Sequence, residues 1–305
     1  MPDPRRAVIG WRILWPVFPR QERPPMRRCP IALSSARVLA TLLCLSLAGC
    51  SLRDARTCTN ANVDPETGIA ACTRWLSSQG LDTDARILGL SSRAMHATRL
   101  RRFDDAARDY RAAMHLRPGD ADLPVWYGAV LGEGGDAEGA LRAFDKALKL
   151  DPDHFAAHMN RGKVLADLRR FPEAAVAYDR AIALDPENGN ARDGRCWVRA
   201  VIGADLPGAL DDCDRAIAAM PGAANPLNNR GLVHFRMGRM AESIADYTAS
   251  IDADPAMASS YYVRSLARRA QGDAAAADRD LAEALRREPG VAARYAGYGL
   301  ALAAP

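Results

Sequence analysis

Six prolines stand at almost equal intervals in this chain: Pro118, Pro152, Pro186, Pro221, Pro255 and Pro289, separated by 34, 34, 35, 34 and 34 residues. A fixed period of that length means one structural unit copied along the chain, and it constrains the fold more than any local pattern. Other positions keep the same phase. A small residue stands five places before each proline (Ala113, Ala147, Ala181, Ala216, Ser250, Ala284) and another twelve places before (Ala106, Ala140, Ala174, Ala209, Ser243, Ala277). The position eight before is mostly large: Tyr110, Phe144, Tyr178, Cys213, Tyr247 and Leu281. Further upstream lies a third small site at Ala94, Gly128, Gly162, Cys196, Gly231 and Ser265. Small residues let two helix axes approach, and the large residue fills the gap beside them. Gly or acidic turns such as Gly135-Asp136, Gly238 and Gly272-Asp273 separate the helices. The proline closes the second helix because it cannot extend it. The extra residue of the fourth copy falls in the turn 203–208. A composition of 49% hydrophobic but only 6% aromatic residues agrees with Ala-rich helices rather than strands.

Spacing and residue type together resemble the tetratricopeptide repeat. The resemblance implies an all-α fold, a right-handed superhelical solenoid of six helix-turn-helix repeats over residues 87–291. Stacking is obligatory, because a single hairpin leaves an apolar face open. Residues 64–86 form an N-terminal half unit, in which Pro65 to Gln79 reads as a second helix without its first. Residues 292–305 read as a C-terminal capping helix, rather apolar for a solvating cap, which leaves packing on a partner and fraying as open readings.

From Met26 the chain reads as an export signal. Arg27, Arg28 and Arg37 precede the apolar run Val38 to Ala48, eleven residues long, against the ~20 that span a bilayer. Leu47-Ala48-Gly49-Cys50 resembles the bacterial lipobox. That resemblance implies a lipoprotein signal peptide over 26–49, lipidation of Cys50 and firm anchoring by several acyl chains. An ordinary cleaved signal with a chance cysteine is the alternative. Ser51 after the cysteine implies, by resemblance to enteric sorting, an outer-membrane lipoprotein facing the periplasm. Residues 1–25 read as an over-extended gene start and 50–63 as a polar tether. The first 49 residues hold eight of the 41 cations and two of the 37 anions, which leaves 33 against 35 in the rest. The overall charge of +4 is therefore no argument for a nucleic-acid partner.

Besides the signal and Cys50, four cysteines remain: Cys58, Cys72, Cys196 and Cys213. An even number in an exported chain points to two disulfides, with three connectivities open. Cys58–Cys72 would pin the tether to the half-unit helix. On the repeat frame Cys196 and Cys213 face each other from two helices of one repeat, which favours Cys196–Cys213. The alternative is two small buried residues at a helix interface.

Charges also follow the period. Arg93, Arg161, Arg195, Arg230 and Arg264 each precede the third small site, and Asp109, Asp212, Asp246 and Asp280 precede the large site. The second repeat, which lacks the Arg, also lacks the Asp. This co-occurrence predicts ion pairs inside the repeat: Arg93–Asp109, Arg195–Asp212, Arg230–Asp246 and Arg264–Asp280.

No nucleophile elbow, HExxH, phosphate loop or GxGxxG is present, so no catalytic residue and no cofactor are assigned. His154 and His158, at i and i+4, are the one foothold for a metal-dependent enzyme; packing and turn formation are the plainer reading. In tetratricopeptide arrays the first helices line a concave groove. The resemblance implies an inward face here of Met95, Arg99, Trp126, Asn160, Lys163, Trp197, Asn228, Asn229, Phe235, Arg236, Tyr262 and Arg269. Asn can clamp a peptide backbone, and Arg or aromatic side chains can anchor its side chains. Asn160, Lys163 and Asn229 are only fragments of the two-carboxylate clamp of chaperone-binding members. The implied function is a non-enzymatic interaction scaffold or adaptor of the bacterial cell envelope that binds a partner protein or peptide. A pilotin-like assembly factor for a secretion or pilus machine is one alternative. A glycan-binding module built on Trp126 and Tyr262 is another.

Overall fold

The structure, a computed structural model, describes residues 52–300. The expected signal peptide, the gene-start reading and Cys50 lie outside the described residues. Among the described residues all regular structure is helical, and no helix is long and apolar enough to cross a membrane. The chain forms two compact units, one ending at Ala157 and one beginning at His158.

In the first unit, residues 52–58 (α1) are followed by Pro65–Leu76 (α2), Thr83–Arg99 (α3), Phe103–Leu116 (α4), Asp122–Gly134 (α5) and Ala137–Leu150 (α6). Here α2 packs on α3, α3 on α4, α4 on α5 and α5 on α6. Phe155–Asp167 (α7) runs across the boundary. The second unit continues with Phe171–Leu184 (α8), Gly189–Ile202 (α9), Leu206–Ala219 (α10), Ala224–Arg236 (α11), Met240–Ala253 (α12), Ala258–Ala270 (α13), Ala274–Arg287 (α14) and Val291–Ala296 (α15). Here the first helices α9, α11 and α13 also adjoin one another in turn.

The periodic small residues sit where the argument from spacing puts them. Ala106, Ala113, Ala140, Ala147, Ala174, Ala181, Ala209, Ala216, Ala277 and Ala284 have no exposed surface. A Cβ on Gly128 would lie 2.7 Å from Phe144 Cε1, and on Gly162 or Gly231 it would lie 3.0 Å from the Tyr178 or Tyr247 ring. The large residue of the second helix therefore fills the space that the small residue of the first leaves open. In the fifth repeat two serines replace alanines. Ser243 Oγ donates to the Gly231 carbonyl at 2.9 Å and Ser250 Oγ to the Ala224 carbonyl at 3.0 Å, so neither hydroxyl is buried unpaired. The second helices end alike. Arg117, Asp151, Asp185, Met220, Asp254 and Glu288 adopt extended backbone with φ between −140° and −130°, the conformation a following proline imposes.

All four expected ion pairs form within their repeats, each as a two-pronged contact: Arg93–Asp109, Arg195–Asp212, Arg230–Asp246 and Arg264–Asp280, with N–O distances of 2.6–2.9 Å. The sequence did not indicate a second link. The remaining Nη1 of each Arg reaches the second helix of the preceding hairpin, donating to Thr73, Asp179, Asp214 and Thr248 respectively. One guanidinium thus ties two helices of its own hairpin and one of the hairpin before it. Asp246 holds Arg230 above the ordinary arginine range.

Both expected cysteine pairs are bonded, with Cα–Cα distances of 4.6 Å for Cys58–Cys72 and 5.6 Å for Cys196–Cys213. The N-terminal segment differs from the expected tether. Residues 52–58 are helical, Cys58 and Cys72 are fully buried, and Asp54 pairs with Arg74 at 2.7 Å. Arg99 then donates to the carbonyls of Ala61 and Val63 at 2.7 and 3.0 Å. The disulfide and these bonds hold the segment on the protein, so the half unit has a short first helix after all. α3 also begins at Thr83, ahead of the expected Ile87, because Asp82 caps it by accepting from the Ala85 N–H at 2.8 Å. At the other end α15 stops at Ala296, and a turn with Gly299 at φ +71° closes on the Tyr295 carbonyl through the Leu300 N–H. The expected cap over 292–305 is therefore one short helix and a folded turn as far as residue 300.

Candidate functional site

In the first unit the structure separates three expected groove residues. Met95 is half-buried. Arg99 is committed to the 61–63 carbonyls. Trp126 belongs to the core, its ring centroid 6.0 Å from that of Tyr110. A buried indole cannot stack on a sugar, so the glycan reading loses Trp126. The metal reading meets a similar obstacle. His154 Nδ1 accepts from the Ala157 N–H at 3.3 Å while Nε2 faces Asp122 Oδ1 at 3.0 Å. Hydrogen bonding to Asp122 raises the His154 pKa. Both ring nitrogens are thus engaged, and no group of three or more metal-ligating side chains occurs among the described residues.

In the second unit the asparagines turn inward. Asn160, Asn228 and Asn229 are buried. Asn228 Nδ2 donates to Ser260 Oγ at 2.7 Å, and Asn229 Nδ2 to Asp193 Oδ1 at 2.7 Å. These two bind between first helices of adjacent repeats, not a ligand backbone. Asp193 is fully buried, and burial pushes its pKa well above the ordinary carboxylate value. Lys163 pairs with Asp167 at 2.9 Å, and Arg269 with Asp278 of the following helix. Tyr262 is 1% exposed, which removes the second residue of the glycan reading.

Trp197, Phe235 and Arg236 remain half-buried, and the C-terminal segment lies across two of them. The Tyr298 ring packs against both Phe171 and Trp197, with both centroid distances 6.1 Å, and the Phe171 and Trp197 centroids are 5.7 Å apart, so the three rings form a triangular cluster. The steep angles of 70°, 90° and 74° are edge-to-face, the arrangement that ring quadrupoles favour. Arg169, from the turn after α7, stacks 4.9 Å over the Tyr298 ring and donates to the Gly297 carbonyl at 3.3 Å. Arg236 Nη2 donates to the Tyr298 carbonyl at 2.6 Å and the Val201 carbonyl at 2.8 Å. Tyr262 Oη donates to the Leu300 carbonyl at 3.4 Å. Burial lowers the Arg236 pKa. The C-terminal segment is thus held by an aromatic cluster and by donors aimed at its main-chain carbonyls.

Of the residues that hold this segment, the sequence reading named Trp197, Arg236 and Tyr262 and did not name Arg169, Phe171 or Tyr298 itself. The signal available was the apolar character of residues 291–300 together with Tyr295, Tyr298 and Leu300.

The tetratricopeptide repeat family matches residues 128–189 and 224–257. Among solved structures, YrrB, described as a TPR protein with an unusual peptide-binding site, is 21% identical with a TM-score of 0.50 over 64% of this chain and 100% of that one. PilF of Pseudomonas aeruginosa is 16% identical, with a TM-score of 0.59 over 71% of this chain and 98% of that one. PilW, a type IV pilus biogenesis factor, is 19% identical, with a TM-score of 0.58 over 66% and 92%. These likenesses concern the fold. Six phased hairpins, their buried small residues and the two matching segments together identify the chain as a tetratricopeptide repeat protein.

Proposed function

We propose that the protein is a non-enzymatic scaffold or adaptor that holds a partner protein or peptide on the first helices of its second unit. The observation that carries this reading is the aromatic and arginine clasp of Arg169, Phe171, Trp197 and Arg236, already wrapped around a peptide segment. YrrB, a protein of similar fold whose description includes a peptide-binding site, adds support. Cross-linking of the tagged chain in intact cells, followed by mass spectrometry, tests it. The expected result is a partner lost on Trp197→Ala while the helical melt is kept. Equal capture by both proteins would refute the assignment of this face.

The same proposal places the protein in the bacterial envelope, outer membrane and facing the periplasm, through a lipid on Cys50. The support is the Leu47-Ala48-Gly49-Cys50 tetrad behind an apolar run, together with two disulfides that suit an oxidising compartment. Metabolic labelling with an alkyne fatty acid should mark the wild-type chain and not Cys50→Ser; label on both would remove the anchor. A narrower second reading, assembly of a pilus or secretion machine, draws on the likeness to PilF and PilW, nearly the whole of which this chain covers. Loss of secretin multimers in a deletion strain is its expected consequence, and intact multimers would end it.

A further inference from the structure

Within the second unit, the Tyr298 segment makes an imperfect occupant of the site it fills. Among the described residues its polar contacts with other elements are made through the carbonyls of Gly297, Tyr298 and Leu300, which any peptide can offer. Tyr298 stays half-buried, and Gly297 and Gly299 flank it. Two guanidiniums face it, and neither meets a carboxylate among the described residues. Arg236 is desolvated, with an Nε that has no partner among those residues, and Arg169 meets a carbonyl and a ring. A Cβ on Gly297 would lie 2.5 Å from Arg169 Nη1. A side chain at that position would therefore run onto the guanidinium. Gly297 has ordinary helical backbone at φ −65°, so the backbone admits an L-residue, and the group its Cβ would displace is the far end of the flexible Arg169 side chain. A carboxylate at this place would exchange a neutral contact for a charge-assisted one, the stronger kind.

We propose that this site takes a partner peptide in which an acidic residue immediately precedes an aromatic one, and that the chain's own Gly297–Leu300 segment fills it as a weaker internal competitor. The inference rests on the peptide-binding reading above and adds the ligand's chemistry and the competition. The aromatic ring packs against the Phe171–Trp197 pair, as Tyr298 does. The preceding carboxylate pairs with Arg169. Arg236 receives the following carbonyl. Binding requires the internal segment to leave, so the apparent affinity is the intrinsic one reduced by the fraction of open sites.

The test uses the full chain and two fluorescent peptides, one with the sequence of residues 291–305 and one carrying Gly297→Asp, read by anisotropy. Tyr298→Ala in the protein should tighten binding of the native peptide at least tenfold. The Gly297→Asp peptide should bind about tenfold tighter than the native one, and Arg169→Ala should abolish that preference. Because Tyr298→Ala could loosen the fold, a second protein variant works in the opposite direction. Gly297→Asp within the chain should raise the melting temperature and weaken binding of either peptide about tenfold. The proposal is overturned by equal binding to wild type and Tyr298→Ala, by equal affinity for the two peptides, or by a Gly297→Asp chain that binds as wild type does. A concentration-dependent dimer abolished by Tyr298→Ala would assign the site to a second copy and also overturn the choice of a foreign partner. If the peptides fail but cross-linking of a partner still depends on Trp197, the interaction function stands and only the ligand chemistry is wrong.

Discussion

At the residue scale, charge placement separates helpful from costly burial. Asp193 is a carboxylic acid inside the second unit that accepts from Asn229 Nδ2, while its Oδ2 has no partner among the described residues. Burial raises its pKa. A group whose folded pKa is raised contributes stability that is complete below the unfolded value and lost as pH rises through the folded one. Asn in its place stays neutral at every pH and still accepts from Asn229. Asp193→Asn should therefore match the wild type in urea melts near pH 4 and exceed it by a margin that grows as the pH is raised to 8. A difference that does not grow with pH would contradict the assignment. The Arg–Asp pairs are the opposite case, because both charges have good partners. Arg93–Asp109 is the cleanest, since Asp109 meets no second Arg among the described residues. A double-alanine cycle should return ~1–2 kcal/mol of coupling, inside the range for directly bonded residues. Additivity within about 0.3 kcal/mol would mean that the pair only marks position.

At the element scale, the repeat was legible because each small position answers a local demand, the approach of one helix to its neighbour. Gly128 shows how strict that demand is. A methyl there meets Phe144 at 2.7 Å and the Ala140 carbonyl at 3.1 Å, so α5 and α6 must separate or the ring must leave its rotamer. Gly128→Ala should cost ~1–3 kcal/mol despite the gain in helix propensity. Phe144→Leu in the same chain should recover part of it. A neutral or stabilising Gly128→Ala would show that the helices yield freely. The intra-repeat Asp partners were readable because the residues co-occur along the period. The Thr73, Asp179, Asp214 and Thr248 partners were not, because their residue type varies from repeat to repeat. The groove asparagines failed for a related reason. Position on a first helix does not reveal whether a side chain faces the ligand side or the next first helix, and Asn228 and Asn229 do the latter. The C-terminal segment was least legible, since its partners Phe171 and Arg169 lie more than a hundred residues upstream.

At the scale of the whole molecule, stacked hairpins touch only their neighbours, so a local loss should stay local. Each unit carries its own disulfide, Cys58–Cys72 in the first and Cys196–Cys213 in the second. The first holds α1 against α2, where buried His96 sends Nε2 to the Cys58 carbonyl at 2.9 Å and packs over Gly68. Removing that bond with Cys72→Ser should destabilise this end by about 3 kcal/mol, the expectation for a loop of that size. Amide exchange should quicken through residues 52–63 and into α3, whose Arg99 and His96 hold that segment. Exchange in α9 to α14 should remain at the wild-type rate. Tyr298→Ala should give the mirror result, with faster exchange confined to residues 291–300 and the side of α9 and α11 that they cover. If either substitution quickened exchange throughout the chain, the protein would be unfolding as one cooperative body. Nearest-neighbour stacking would then be the wrong description of its stability, and the C-terminal segment could not open as an independent competitor for the site it fills.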